Sequence, residues 1–428
     1  MTRTGYGATA GVDGHWQDDL RYVPPPARPL GELHPSRMSP ATALGVWRQR
    51  RAGTAERTLE ELLCAASGRP ACLLASSGRG ALRTALGALG AGPGREVVLS
   101  TLTCPAVIDA VLATGATPVL VDADEHEGPH YTAAGLDGRI AVLTHGFGRD
   151  EHAQHAEEIT RRGGTPVLDL AQALPAPEVL ARFRTAGGSP PPLVLSFGEG
   201  KPLGALGGGA LLHAVPWLAA PPAPDTHAAD RGGAAALRRA AGRWLVEHAP
   251  GAVRAAAVRR RGRAPGWSDT KAAHLPRQPE DVRWEAPDPW QTAAAVRTLA
   301  TASRRRAAAA ATGARVRAAV DGRLGTCRLM PGDPDLCDGI ELAFRRRGDR
   351  YAFARALAAH GVPSTWNPYP LHRMRPYARY APTALPAADD LWRRVLTVPK
   401  QPQPRLDADH LARALLAADR AAARGETA

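Results

Sequence analysis

Between residues 71 and 213 the chain repeats one pattern: a short apolar run, a turn of small residues, then a stretch long enough for a helix. The apolar runs fall at 71–74, 96–99, 119–121, 140–143, 166–168, 193–195 and 210–212. Early in the series a strand and its helix together take about 22 residues, and such alternation favours a parallel sheet with helices on its faces. The expected class is therefore α/β: a three-layer α/β/α large domain around a mostly parallel sheet. A strand at 338–345, a helix at 349–360, a strand at 362–366 and a helix at 407–424 add a smaller α+β C-terminal domain. The 428 residues exceed the usual size of one domain, and divide as a tail over 1–24, a large domain over 25–285 and a small one over 286–428.

Between these units lie helices read as packing elements. Ser39-Pro40 caps one that carries Leu44 and Trp47, and 54–66 reads as a second. The arginine-rich stretch 234–262 places Leu237, Trp244, Leu245 and Val253 towards one side, for packing on its own domain. A single long helix is expected over 290–320.

Chemistry concentrates in the segment SFGEGKPLGALGGG, residues 196–209, which lies between two strands and holds one lysine, Lys201. All but three of the 54 basic residues are arginine, the exceptions being Lys201, Lys271 and Lys400. A lysine retained in such a background is a candidate for work that arginine cannot do, because lysine can lose its proton and attack a carbonyl. The surrounding glycines allow a bulky group to approach the backbone. An exposed loop lysine with no role is the competing reading.

Two further turns are candidate ligand sites. Ser76-Ser77-Gly78-Arg79-Gly80 joins a strand to a helix start, where free amides and the helix dipole favour an anion. Ser77, Gly78 and Arg79 are phosphate-cradle candidates, against the plainer reading of an ordinary capped turn. Asp169 ends the strand at 166–168, where open α/β sheets bind ligands, although it could equally cap the next turn.

Composition narrows the class. A formal charge of +13 and a pI near 10.2 invite nucleic acid, but the basic residues are spread along the chain and aromatics make up only 5%. An arginine-rich surface for acidic small molecules or an acidic protein fits better, so neither nucleic acid nor membrane is expected as a partner. The cysteines (Cys64, Cys72, Cys104, Cys327, Cys337) lack metal-ligand spacing, so no metal site is expected. Cys327 and Cys337 could pair across a loop, but reduced thiols are the simpler reading. With no signal pattern and no long apolar run, the expected location is cytoplasmic.

Taken in order, these stretches resemble the DegT/DnrJ/EryC1/StrS family of pyridoxal-phosphate-dependent sugar aminotransferases. The likeness rests on Ser76 to Leu82, Gly92 to Val98, Thr101 to Pro105, Gly115 to Asp122, Asp169-Leu-Ala-Gln172 and Ser196 to Gly209, with a weaker patch from Tyr369-Pro-Leu-His372 to Pro376-Tyr377. The resemblance implies fold type I and pyridoxal 5'-phosphate as cofactor. Lys201 would hold it as an internal aldimine and carry the proton, and Asp169 would pair with the ring nitrogen. Gln172 would lie near the ring hydroxyl. Ser196 and the backbone of Gly78 and Arg79 would hold the phosphate. His145, Tyr369 and His372 are substrate candidates. Cys104 stands where the family usually stacks an aromatic, and a thiol covers a ring less extensively.

The implied activity is transfer of an amino group from glutamate or glutamine to a keto substrate. The arginines suit a nucleotide-linked keto sugar, or equally the phosphopantetheine arm of an acidic carrier protein. Two alternatives remain: a non-transaminating enzyme of natural-product pathways using the same carbanion, and a catalytically idle scaffold. The resemblance also implies a homodimer.

Overall fold

The computed structural model describes residues 35–123, 135–144, 152–184, 190–214, 232–250, 284–331, 339–365 and 370–425, together with Pro26, Leu30 and Val282. The chain opens with helices α1 (Pro40–Ala52) and α2 (Ala55–Ser67). The alternating units follow: β1 (Ala71–Ala75), α3 (Gly78–Ala88), β2 (Glu96–Ser100), α4 (Pro105–Leu112), β3 (Thr117–Val121), β4 (Ile140–Thr144), α5 (His152–Arg161) and β5 (Thr165–Asp169). A short helix α6 (Pro177–Ala181) leads to β6 (Leu193–Ser196), β7 (Gly209–His213) and α7 (Gly233–His248).

Seven strands form one sheet in the order β1-β7-β6-β5-β4-β2-β3. Only β7 runs against the others: it pairs antiparallel with both β1 and β6, while the remaining pairs are parallel. Alternate residues divide between two cores. Val97 and Leu99, Ile140 and Val142, Val194 and Leu211 face one side, with α3 and α4. Val98, Ala141 and Leu143, Leu195 and Leu212 face the other, with α1, α2, α6 and α7. Both faces are covered, which is why the strands read as unbroken apolar runs. This is the three-layer sandwich expected.

The second half adds α8 (Pro289–Leu299), α9 (Ala302–Val320), β8 (Cys327–Leu329), β9 (Gly339–Phe344), α10 (Arg347–Ala359), α11 (Pro386–Arg394), β10 (Val395–Pro399) and α12 (Ala408–Ala423). Strands β10-β9-β8 make a small antiparallel sheet, and α10 packs on α12 beside it. Asp419 of α12 accepts from the amides of Gly325 and Thr326, so the helix holds the approach to β8. The apolar core of this sheet is continuous with the α3–α4 side of the large one.

Several local expectations change. The helix expected over 290–320 is two, broken at Ala300–Thr301, because α8 packs on α1 and α2 while α9 packs on α12. At the break the Thr301 hydroxyl donates to Thr298 O, a local bond that competes with the helical ladder. Leu44 and Trp47 of α1 and Leu245 of α7 face outward; α1 buries Val46 and α7 buries Leu237 and Ala240. The strand expected at 362–366 is reduced to one bridge, Thr365 to Thr397. Cys327 is a free thiol, pushed up to about 12 by burial and then by Asp419, and Cys337 lies outside the described residues. Residues 1–24, Lys271 and 251–262 are outside them too. No described helix is long and apolar enough to cross a membrane.

The tightest point of the sheet is where β7 meets α3. A Cβ at Gly209 would lie 2.5 Å from Gly78 N, 2.7 Å from Gly78 Cα and 2.7 Å from Leu195 O. All three are backbone atoms, which no side-chain rotation can move. Gly209→Ala is expected to destabilise the protein by about 2 kcal/mol or more. A chemical-denaturation midpoint equal to wild type would show that the backbone can yield there.

Candidate active site

The C-terminal ends of the parallel strands gather the residues singled out from the sequence. β5 ends at Asp169, whose register partners are Thr144 on β4 and Val194 on β6. β6 ends at Ser196, paired with Gly209, and Gly209 is in turn paired with Ala75 at the end of β1. One strip of sheet edge thus brings Asp169, Ser196 and the Ser77 turn together.

Ser77 caps α3 in extended conformation, and its Oγ accepts from Gly80 N at 3.1 Å. First-turn amides have no intrahelical acceptor. Gly80 is thus satisfied by Ser77 within the turn, and Ser77 is bridged in parallel to Gly208 of the segment that holds the lysine. Gly78 is needed for space: its Cβ would stand 2.7 Å from Ser196 Cβ and 3.1 Å from Ser196 Oγ. The hydroxyl of Ser196 therefore lies directly against the helix start.

The lysine turn leaves β6 and returns as β7. Phe197 N donates to Gly208 O at 2.9 Å, Ala205 N to Phe197 O at 3.0 Å, and Lys201 N to Gly198 O at 3.0 Å. Gly208 N donates to Ser76 O at 3.0 Å, so the lysine turn is bonded to the Ser77 turn. Phe197 is buried below, while Lys201 is half-buried at the tip. Arg305 of α9 reaches across to donate to the carbonyls of Leu203 (3.1 Å) and Pro202 (3.2 Å). Nothing in the sequence distinguishes Arg305 from its many neighbours; only the folded chain gives it this role.

Asp169 is buried, and one carboxylate oxygen accepts from Ala171 N at 2.9 Å. Burial pushes its carboxyl up, while the Lys201 charge and the Ala171 amide pull it back. The buried carboxylate thus feels the charge of Lys201, and Ser196, at the end of the adjoining strand β6, lies against the start of α3. Gln172 is exposed in the turn after Asp169, and Cys104 is exposed at the start of α4. His145 and Tyr369 lie outside the described residues.

His372 sits elsewhere in the scheme. Its Nδ1 is 2.8 Å from Thr101 Oγ1 and its Nε2 is 3.1 Å from Asp389 Oδ1. Hydroxyl, imidazole and carboxylate in this order resemble a nucleophile relay. Thr101 is fully buried and its Oγ1 also accepts from His372 N at 3.3 Å, so no substrate reaches it. The array is a fastening that ties the segment after Pro370 to the end of β2, and both ring nitrogens are engaged within the protein.

A cavity of about 210 Å³ lies beside the lysine turn, lined among others by Ser36, Arg37, Trp244, Glu247 and His248. Arg37 connects the two, since its Cγ would be 2.7 Å from a Cβ at Gly204. Ligand pockets usually run from about 300 Å³ upward, so this cavity alone does not hold a nucleotide-linked sugar.

Comparison with known proteins agrees with this geometry. Residues 41–220 match the model of the DegT/DnrJ/EryC1/StrS aminotransferase family. The match covers less than half of the chain. It is 34% identical over 172 residues to a UDP-N-acetyl-3-dehydro-alpha-D-glucosamine 3-aminotransferase of Acidithiobacillus ferrooxidans, covering 37% of this chain and 44% of that protein. It is 36% identical over 151 residues to a dTDP-3-amino-3,4,6-trideoxy-alpha-D-glucose transaminase of Streptomyces venezuelae, covering 34% and 39%. The matched stretches thus span less than half of either relative. Among solved structures, DesI with its TDP-sugar product superposes with a TM-score of 0.67 at 20% identity, over 94% of this chain and 95% of that one. S. venezuelae DesV in complex with a ketimine intermediate gives 0.63 at 23%, over 88% and 94%. At such identities the superpositions establish the fold, which extends well beyond the DegT/DnrJ/EryC1/StrS segment.

The fastening at Asp389 can be tested by pH. Burial opposes its ionisation, but bonds from Arg373 and His372 outweigh that and hold the carboxyl far below its usual range. A depressed folded-state value means the pairing contributes fully above the unfolded value of about 3.9 and is lost as the pH falls. Asp389→Asn is expected to cost about 1–3 kcal/mol at neutral pH. In urea titrations the gap to wild type narrows below about pH 4. A gap of the same size in acid would assign it to something other than the carboxylate charge.

Proposed function

We propose that the protein is a pyridoxal-phosphate-dependent aminotransferase that moves an amino group from glutamate or glutamine to a nucleotide-linked keto sugar. The observation that carries this reading is the convergence of Lys201, buried Asp169 and the Gly78–Ser196 cradle on one strip of sheet edge. When bound, the cofactor supplies an electron sink for negative charge at the substrate carbon that bears nitrogen. The remaining work falls to the protein's own groups.

The amides of Gly78 and Arg79 and the Ser196 hydroxyl bind the phosphate at the positive end of α3. The Asp169 carboxylate, kept from water, holds a proton at the ring nitrogen; without that proton the ring withdraws electrons far less. Lys201 Nζ holds the cofactor and then moves the proton at the reacting carbon. Bonds from Arg305 to Pro202 and Leu203 keep the turn under Lys201 in place. Gln172, exposed beside Asp169, would meet the ring hydroxyl, and Cys104 would border the ring face. Two copies forming a homodimer, with the keto sugar and the amino donor as small-molecule partners, complete the reading.

The test is the visible absorbance of purified protein reconstituted with pyridoxal phosphate, before and after glutamate, beside Lys201→Ala. A yellow band that bleaches with glutamate and is missing in the variant is the expected result. A band indifferent to glutamate, glutamine and other amino donors would replace transamination with another reaction of the same cofactor. No band after reconstitution would remove the cofactor from the reading.

A further inference from the structure

Cys104 ends a short loop that runs from the tip of β2 to the start of α4. Both ends of this loop are bonded to one distant stretch of chain. At the β2 end, Leu371 N donates to Thr101 O at 2.8 Å, and the His372 ring meets Thr101 Oγ1. At the α4 end, the Tyr377 hydroxyl donates to Asp109 Oδ1 at 2.6 Å. Tyr377 and Asp109 are both buried, at 0% and 1% exposure, so water does not compete for this bond. Asp109 lies in the second turn of α4, and its other oxygen is 4.0 Å from Arg79 Nε, next to the phosphate cradle. Farther on, Asp122 at the end of β3 accepts from the amides of Ala387 and Ala388 at the start of α11.

We propose that Tyr377 is a positioning residue that, through Asp109, holds the Thr101–Cys104 loop at the angle from which it borders the cofactor ring. The functional reading above supplies the ring; the hold on the loop does not depend on it. Burial first, and the Asp109 carboxylate second, keep the phenol far above its ordinary value, so it remains a donor throughout the working range. A charge on Cys104 is felt at the same phenol, which puts loop and clamp in one neighbourhood.

Tyr377→Phe keeps the ring and removes only the donor. In cofactor-free protein, hydrogen exchange in peptides over 100–112 is expected to rise about fivefold, the population change matching a hydrogen bond of ~1 kcal/mol. Strands β4 and β5 should exchange as in wild type, and Tyr380→Phe, which removes a hydroxyl that accepts from Arg379 at the surface, should change nothing in 100–112. After reconstitution, the visible circular dichroism of bound pyridoxal phosphate should change in Tyr377→Phe and not in Tyr380→Phe. Should Tyr377→Phe fail to fold, Asp109→Asn offers the phenol a neutral acceptor and carries the same expectation with a smaller rise. Unchanged exchange in 100–112, or a rise spread evenly over the sheet, would overturn the proposal. So would a local rise with unaltered dichroism of the bound cofactor. If wild type binds no cofactor, the functional reading falls and the ring-facing role falls with it, and the exchange pattern still decides whether Tyr377 holds the loop.

Discussion

The structure depends on two backbones meeting without side chains between them, at Gly78 and Gly209. The contact sets β7 tightly enough between β1 and β6 for the lysine turn to bond directly to the Ser77 turn through Gly208 N and Ser76 O. A single Cβ at either position would push the helix start away from Ser196 and from the strand that leads to Lys201. The Ser77 turn and the segment that holds Lys201 are therefore joined backbone to backbone. The distance from Lys201 to the cradle is fixed by sheet register, with little left to side-chain choice.

Charge is used differently by the two basic residue types. The arginines with clear partners here act on the backbone and on carboxylates: Arg305 on the lysine turn, Arg373 on Asp389, Arg69 on Pro191 O. Arginine suits such work because its planar donors stay charged and reach several acceptors at once. Lys201, in contrast, acts by its charge on the buried Asp169 carboxyl. A strongly basic composition thus reflects scaffolding as much as recognition of acidic partners.

The strand series, the covered sheet and the group Lys201, Asp169, Ser77, Gly78 and Ser196 could be read from sequence, because each is local: an apolar run, a turn of small residues, a polar residue at a strand end. The partners that hold the site could not. Tyr377 and Asp109 lie 268 positions apart, and Arg305 and Leu203 lie 102 apart. No local periodicity marks any of them. His372 shows the opposite case: its place in a Pro-Leu-His patch suggested contact with substrate, whereas the fold gives both its nitrogens to Thr101 and Asp389. The break between α8 and α9 was hidden because both halves are good helix sequence, and only their different packing partners separate them.

The reversed strand β7 has a consequence for how the molecule is made. β1 is an edge strand whose only neighbour in the sheet is β7, about 140 residues further along the chain. During synthesis β1 must therefore wait, unpaired, while the whole parallel series β2 to β6 is laid down. The Ser77 turn at its end cannot be held in place until residues 209–213 have emerged. Docking of the Ser77 turn against the segment that holds Lys201 is thus a late event in folding.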